Sequence, residues 1–309
     1  MFKFIKILNV KSKIYCGLSN INHYKYDEAL KCFDEALEIM PDCKYAFHYK
    51  GNVYENMQMY DEAMECYDKL ITDYPHYING WICKGELLTS LKEYDEALDC
   101  FDRSLEINKE NVNLLFSKTR TFVFKEDYDS AMKCANYNLK IHPEEEECYM
   151  WKAYIFREMK DHENAIKWYK KSTELFPSYQ KGWLQLTLEY HEINKQKEAE
   201  KFLEKSIKLD KNGKHYLVHA ILLKDLGKYE KALKLLNKAL KTEKNVAIYY
   251  HKGKILEKLN KIDEAVENYN LTIEGYYSDV NNHVDHNESF DGKKYCEKAK
   301  NRLKLLQKN

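Results

Sequence analysis

The chain has 309 residues, 44% of them apolar, and its 50 lysines and arginines balance 50 aspartates and glutamates. That apolar share excludes wholesale disorder, and only four prolines and ten glycines exclude a loop-rich or all-β chain. Zero net charge leaves no global field drawing the protein to nucleic acid, which is therefore not an expected partner. The balance hides a drift from −7 over residues 1–179 to +7 over 180–309. Its plainest meaning is a solvated face; a sharper one is a two-signed surface that orients a partner or lets protomers meet head to tail.

The chain opens with MFKFIKILNV, whose apolar residues are interrupted by Lys3 and Lys6. This is too short for a membrane span and no small-residue cleavage site follows, so residues 1–9 are expected as an N-terminal extension and no membrane crossing is expected. Beyond it the chain repeats itself. YDEALKCFDEALEIMP at Tyr26–Pro41 returns as YDEAMECYDKLITDYP at Tyr60–Pro75 and as YDEALDCFDRSLEINK at Tyr94–Lys109. One alanine marks each copy: Ala29, Ala63, Ala97, Ala131, Ala165, Ala199, Ala232 and Ala265, spaced by 34 residues and by 33 in the last two steps. A period of that size held over most of a chain specifies a repeat architecture.

Residues 44–77 serve as the model copy. Phe47, Lys50, Gly51 and Tyr54 share one helical face. After a short polar break, Asp61 and Glu62 open a second helix, where acidic groups suit the positive end of the helix dipole. Ala63, Cys66, Tyr67, Leu70 and Ile71 form its apolar stripe, and Pro75 stops it. Gly17, Gly51, Gly85, Ala153, Ala220 and Gly253 fall at one place on the first helices. Glycine in a helix interior costs about 1 kcal/mol relative to alanine, so its recurrence there predicts a close helix crossing. Lysines precede that small residue at Lys50, Lys84, Lys118, Lys152 and Lys252, and are expected to lay their methylenes over the core with the ammonium in water.

Trp81, Gly85, Tyr94, Ala97 and Phe101, with prolines closing units at Pro41, Pro75, Pro143 and Pro177, resemble the tetratricopeptide repeat family. The resemblance implies an all-α fold, a right-handed superhelix (α-solenoid) of about eight helix-turn-helix units whose first helices line a concave groove for a peptide or helix of another protein. The array is expected over 10–275, with units near 10–43, 44–77, 78–111, 112–145, 146–179, 180–212, 213–245 and 246–275. A polar loop is expected over 276–292 and a C-terminal capping helix over 293–309, with Tyr295, Cys296, Ala299, Leu303 and Leu306 on one face. Some family members clamp an acidic chaperone tail with lysines, asparagines and arginine. Here the matching inward residues are Ile14, Leu18, His48, Asn52, Asn79 and Cys83, of which only Asn52 is of that type, so such recognition is not expected.

No chemistry has an address in the sequence. There is no P-loop, GxGxxG or nucleophile elbow, and the nine cysteines include no CxxC. Cys32, Cys66, Cys100 and Cys134 are copies of one repeat position, expected as unbridged thiols in a reducing cytoplasm. His283 and His286 beside Asp279 and Asp285 are expected as a solvated loop, and His215 with His219 lacks a metalloprotease glutamate. The chain is therefore expected not to be an enzyme and to hold no cofactor or metal. The expected partner-binding groove is Asn113, Phe116, Arg120 and Phe124, then Met150, Trp151, Tyr154 and Arg157, then Leu184 and Leu188. Aromatic and arginine side chains together dominate binding hot spots. The expected function is a non-enzymatic protein-interaction scaffold; RNA binding through the basic C-terminal half, or service as a regulatory subunit of a separate enzyme, are the alternatives.

Overall fold

A computed structural model describes residues 2–242, 245–281 and 286–306, and every regular element among them is an α-helix. The chain divides into two compact units, Met1–Asp161 and His162–Asn309. The first holds α1 (Phe2–Ile21), α2 (Tyr26–Ile39), α3 (Lys44–Asn56), α4 (Tyr60–Asp73), α5 (Ile78–Ser90), α6 (Tyr94–Ile107), α7 (Val112–Phe124), α8 (Tyr128–Ile141) and α9 (Glu146–Glu158). The second holds α10 (His162–Leu175), α11 (Gln180–Glu192), α12 (Gln196–Leu209), α13 (Tyr216–Asp225), α14 (Tyr229–Thr242), α15 (Val246–Lys258), α16 (Ile262–Asn281) and α17 (His286–Leu306).

The turn inside each hairpin recurs with the repeat. Tyr24, Gln58, Lys92, Glu126, Lys160, Asn194, Gly227 and Asn260 all have positive φ, between 57° and 72°. The residue after each returns a backbone bond to the helix just ended, as in Met59 N–H to the Tyr54 carbonyl at 2.8 Å and Glu93 N–H to Leu88 at 2.9 Å. That is the Schellman closure, which satisfies carbonyls a helix end would otherwise leave bare. Five of the eight (Tyr24, Gln58, Lys92, Glu126 and Lys160) are neither glycine nor asparagine, so the sequence there carries no sign of the left-handed turn.

Within a hairpin, the small residue of the first helix faces a ring from the second. A Cβ placed on Gly51 would lie 2.5 Å from Tyr67 Cε1, and one on Gly85 would lie 2.7 Å from Phe101 Cε1. Gly17 with Phe33 and Gly253 with Tyr269 repeat the arrangement. Where the first helix carries Thr119 in that place, the ring position is Ala135, and both are fully buried. Side-chain volume is thus conserved across the crossing, as a close-packed interior demands.

Between successive hairpins two further contacts recur. Three of the five lysines before the small residue reach an aspartate sixteen positions back on the preceding second helix: Lys50 to Asp34 at 2.6 Å, Lys84 to Asp68 at 2.5 Å, and Lys118 to Asp102. Lys152 finds Asn136 instead, at 2.7 Å. The aromatic of the next first helix donates to the proline carbonyl closing the last unit, Trp81 to Pro75 at 2.9 Å, Tyr149 to Pro143 at 3.1 Å and Trp183 to Pro177 at 3.0 Å. The lysines therefore do more than shield the core.

The stretch expected as an N-terminal extension is helical where it is described: α1 runs unbroken from Phe2 into the first hairpin, and Phe4, Ile5 and Leu8 lie exposed on it. One further stretch differs from its expected conformation. The polar loop expected over 276–292 is largely helical, since α16 continues to Asn281 and α17 begins at His286, with 282–285 outside the described residues. Packing outweighs the turn-favouring composition there: a Cβ on Gly292 would sit 3.3 Å from the Tyr276 ring, and one on Gly275 3.0 Å from Val246. α17 then lays Tyr295, Ala299, Leu303 and Leu306 against Tyr250, Leu256, Ala265 and Tyr269. Arg302 grips the Glu257 carboxylate through both Nε and a terminal nitrogen.

Candidate binding face on the first helices

In the first unit each first helix touches the next first helix, α1 with α3, α3 with α5, α5 with α7 and α7 with α9, and none of the closer pairings joins one second helix to the next. The first helices therefore form the inner side of this unit's bend, and their inward residues can act together.

Along α3, α5 and α7 that side is polar and tightly bonded. The Tyr67 hydroxyl, with one proton to share, lies 2.8 Å from Asn52 Oδ1 and 3.1 Å from Glu55 Oε2. Glu86 Oε1 accepts from Ser117 at 2.9 Å and from Arg120 at 3.1 Å, while Arg120 Nε is buried without a partner. His48 lies 3.0 Å from the Tyr77 hydroxyl. Burial holds the Glu55 carboxyl above its usual range, and the neighbouring Glu86 adds to this. Burial also pushes the Cys83 thiol up to about 12, helped by Glu86 and Glu55, so Cys83 is no nucleophile.

On α9 the character becomes aromatic. Trp151 and Tyr154 meet edge to face at 5.5 Å, and the Arg157 guanidinium stands 4.6 Å above the Tyr154 ring while bonding Glu158 at 3.3 Å. Stacking of this kind holds an arginine guanidinium in one orientation over the ring.

The expected groove residues separate into two groups. Phe116, Met150 and Leu184 are 8%, 7% and 4% exposed, so they pack between helices and have little surface to offer. Leu188 is half-buried against the core of the second unit. Asn113 and Phe124 are exposed; Arg120, Trp151, Tyr154 and Arg157 are half-buried. Sequence reasoning missed Glu55 and Glu86, although each lies one turn beyond an inward residue it did name, Asn52 and Cys83. The cluster of His283, His286, Asp279 and Asp285 lies outside the described side chains. Among the described residues no helix is long and apolar enough to cross a membrane.

The family model described as anaphase-promoting complex, cyclosome, subunit 3 matches residues 22–104 and 192–271, together more than half of the chain. A tetratricopeptide repeat model matches residues 146–179 between them. The chain belongs to the tetratricopeptide repeat family. Two solved structures show the same fold. Yeast Tom70 superposes with a TM-score of 0.73 at 17% identity, covering 97% of this chain and 66% of that one. A tetratricopeptide repeat protein from Parabacteroides merdae ATCC 43184 gives 0.58 at 12% identity, covering 94% and 99%. No curated protein matches the sequence. At such identities the likeness extends to the fold of this tetratricopeptide repeat chain and not to its ligands.

Proposed function

We propose that the chain is a non-enzymatic interaction scaffold, and that a peptide or helical segment of a partner protein lies along the first-helix side of residues 1–161. The observation that carries this is the Trp151–Tyr154–Arg157 stack on α9, an aromatic and forked-donor surface held in place before any guest arrives. Preorganised aromatics lose little entropy on binding, which is why such groups anchor interfaces. Glu55 on α3 and Glu86 on α5 favour a basic side chain in the guest, since a cation there relieves their mutual repulsion. A reducing, cytoplasmic setting fits the nine free thiols.

The test is selection of peptides from a displayed library against the full chain, followed by affinity measurement on the triple variant Trp151→Ala, Tyr154→Ala, Arg157→Ala. Loss of a hot spot of at least about 2 kcal/mol weakens selected peptides roughly thirtyfold, with helicity by circular dichroism unchanged. Phe116 is left intact because its burial would confuse lost binding with lost packing. Peptides that bind the triple variant as tightly as the parent place the guest elsewhere.

A further inference from the structure

In every other hairpin from the second onward, the residue two past the small position of the first helix is apolar or a hydroxyl and buried: Val53, Leu87, Thr121, Ile155, Leu222 and Ile255. The sixth hairpin places Glu189 there, with none of its side chain exposed. A second departure faces it. The first residue of the second helix is tyrosine in five hairpins (Tyr26, Tyr60, Tyr94, Tyr128 and Tyr229), but in the fifth it is His162. The two departures meet across 27 residues of chain, His162 Nδ1 lying 2.6 Å from Glu189 Oε1.

That bond satisfies half of the carboxylate. Glu189 Oε2 is buried and has no hydrogen-bond partner, a state that is costly for any carboxylate and that a bare ion pair does not repair. One turn further along α11 stands Glu192, exposed on its outer side, and one ligand atom from each of the three residues falls within 4.8 Å of the others. An imidazole nitrogen with two carboxylates is a donor set for a first-row divalent cation, whereas calcium and magnesium take oxygen alone.

We propose that His162, Glu189 and Glu192 bind a divalent transition-metal cation, with Zn2+ as the best-suited ion, tying the start of α10 to the end of α11 within the second unit. The buried oxygen without a partner becomes a ligand, Glu192 turns inward to supply the third, and water completes the shell. The site is independent of the proposed peptide-binding face. It makes the packing of one helix pair depend on metal.

The test titrates Co2+ into the full chain after chelator treatment, then displaces it with Zn2+. One equivalent of Co2+ with ligand-field absorption and no thiolate charge-transfer band is expected, which separates this site from the nine cysteines. Zn2+ should raise the melting temperature. Glu192→Gln, a change at an exposed position, should leave the apo melting temperature unchanged, weaken uptake at least about tenfold and remove the thermal shift. Glu189→Leu, which installs the aliphatic residue of other hairpins, should fold and ignore the metal. A thiolate spectrum, absence of saturable uptake, or Glu192→Gln binding like the parent overturns the proposal.

Discussion

Lys84 Nζ lies 2.5 Å from Asp68 Oδ1, joining the first helix of one hairpin to the second helix of the one before it. The same spacing of sixteen residues recurs at Lys50–Asp34 and Lys118–Asp102. Burial works against the charge on Lys50, but Asp34 outweighs it and holds the ammonium above its ordinary range. The aspartates remain about half exposed, so solvent screens each pair and its net worth is at most about 1 kcal/mol. Lys84→Met keeps the methylenes over the core and should change stability to urea by less than about 1 kcal/mol. A larger loss would mean that the ladder acts as a unit, and a double-mutant cycle with Asp68→Asn would measure that coupling.

Gly51 and Gly182 should respond oppositely to alanine. At Gly51 the added methyl would lie 2.5 Å from the fully buried Tyr67 ring, whose hydroxyl is already committed to Asn52 and Glu55. Overpacking of about 1–3 kcal/mol there outweighs the gain in helix propensity of about 1 kcal/mol. At Gly182 the nearest atoms, on Ser172 and Thr173, are at 3.4 Å, an ordinary contact. Gly182→Ala should therefore be neutral or slightly stabilising, and equal thermal shifts in the two variants would refute the ring-over-glycine account of the crossing.

Cys16 occupies the place where later hairpins carry Lys50 and Lys84, and its sulfur lies 2.7 Å from Cys32, whose thiol donates to it. Burial, then the bond to Cys16, pushes the Cys32 thiol up to about 11, so Cys16, which is exposed, is the sulfur an oxidant reaches. A disulfide at about 2.05 Å needs little further approach. Mild oxidation should consume two of the nine thiols and link these residues in the peptide map, and Cys16→Ser should leave all eight remaining thiols titratable. All four repeated cysteines are free thiols, and Cys66, Cys100 and Cys134 have no cysteine beside them as Cys32 has.

His219 is fully buried beside Ser206 Oγ at 2.9 Å, with Asp210 3.5 Å from its other nitrogen. Burial holds its pKa down at about 4, against the partial pull of Asp210. Between about pH 6.5 and pH 4 the unfolded chain binds a proton that the folded one refuses. The contribution of His219 is therefore intact above about pH 6.5 and is lost as pH falls towards 4, by up to about 3 kcal/mol. Urea midpoints of the parent and of His219→Gln should diverge least in acid, with the flatter pH profile in the variant. Parallel profiles would assign the acid loss to other groups.

The repeat period, the helix hairpins and the small-residue register were all legible in the sequence, because each depends on contacts between residues held at fixed spacing. A ring over a glycine recurs in four hairpins, and an alanine in the first turn of the second helix recurs in all eight, so each leaves a pattern. The left-handed turn residues left none, since Gln58, Lys92 and Glu126 adopt that backbone only because the Schellman bonds around them require it. Burial separated Phe116 and Met150 from Tyr154 and Arg157, although all four share one face by spacing. The meeting of His162 with Glu189 was equally hidden. Both depart from the residue most copies carry, they lie 27 residues apart, and only the packing of α10 on α11 brings them to 2.6 Å. Periodicity records what every unit does alike, whereas a site made of exceptions exists only where the folded chain places those exceptions together.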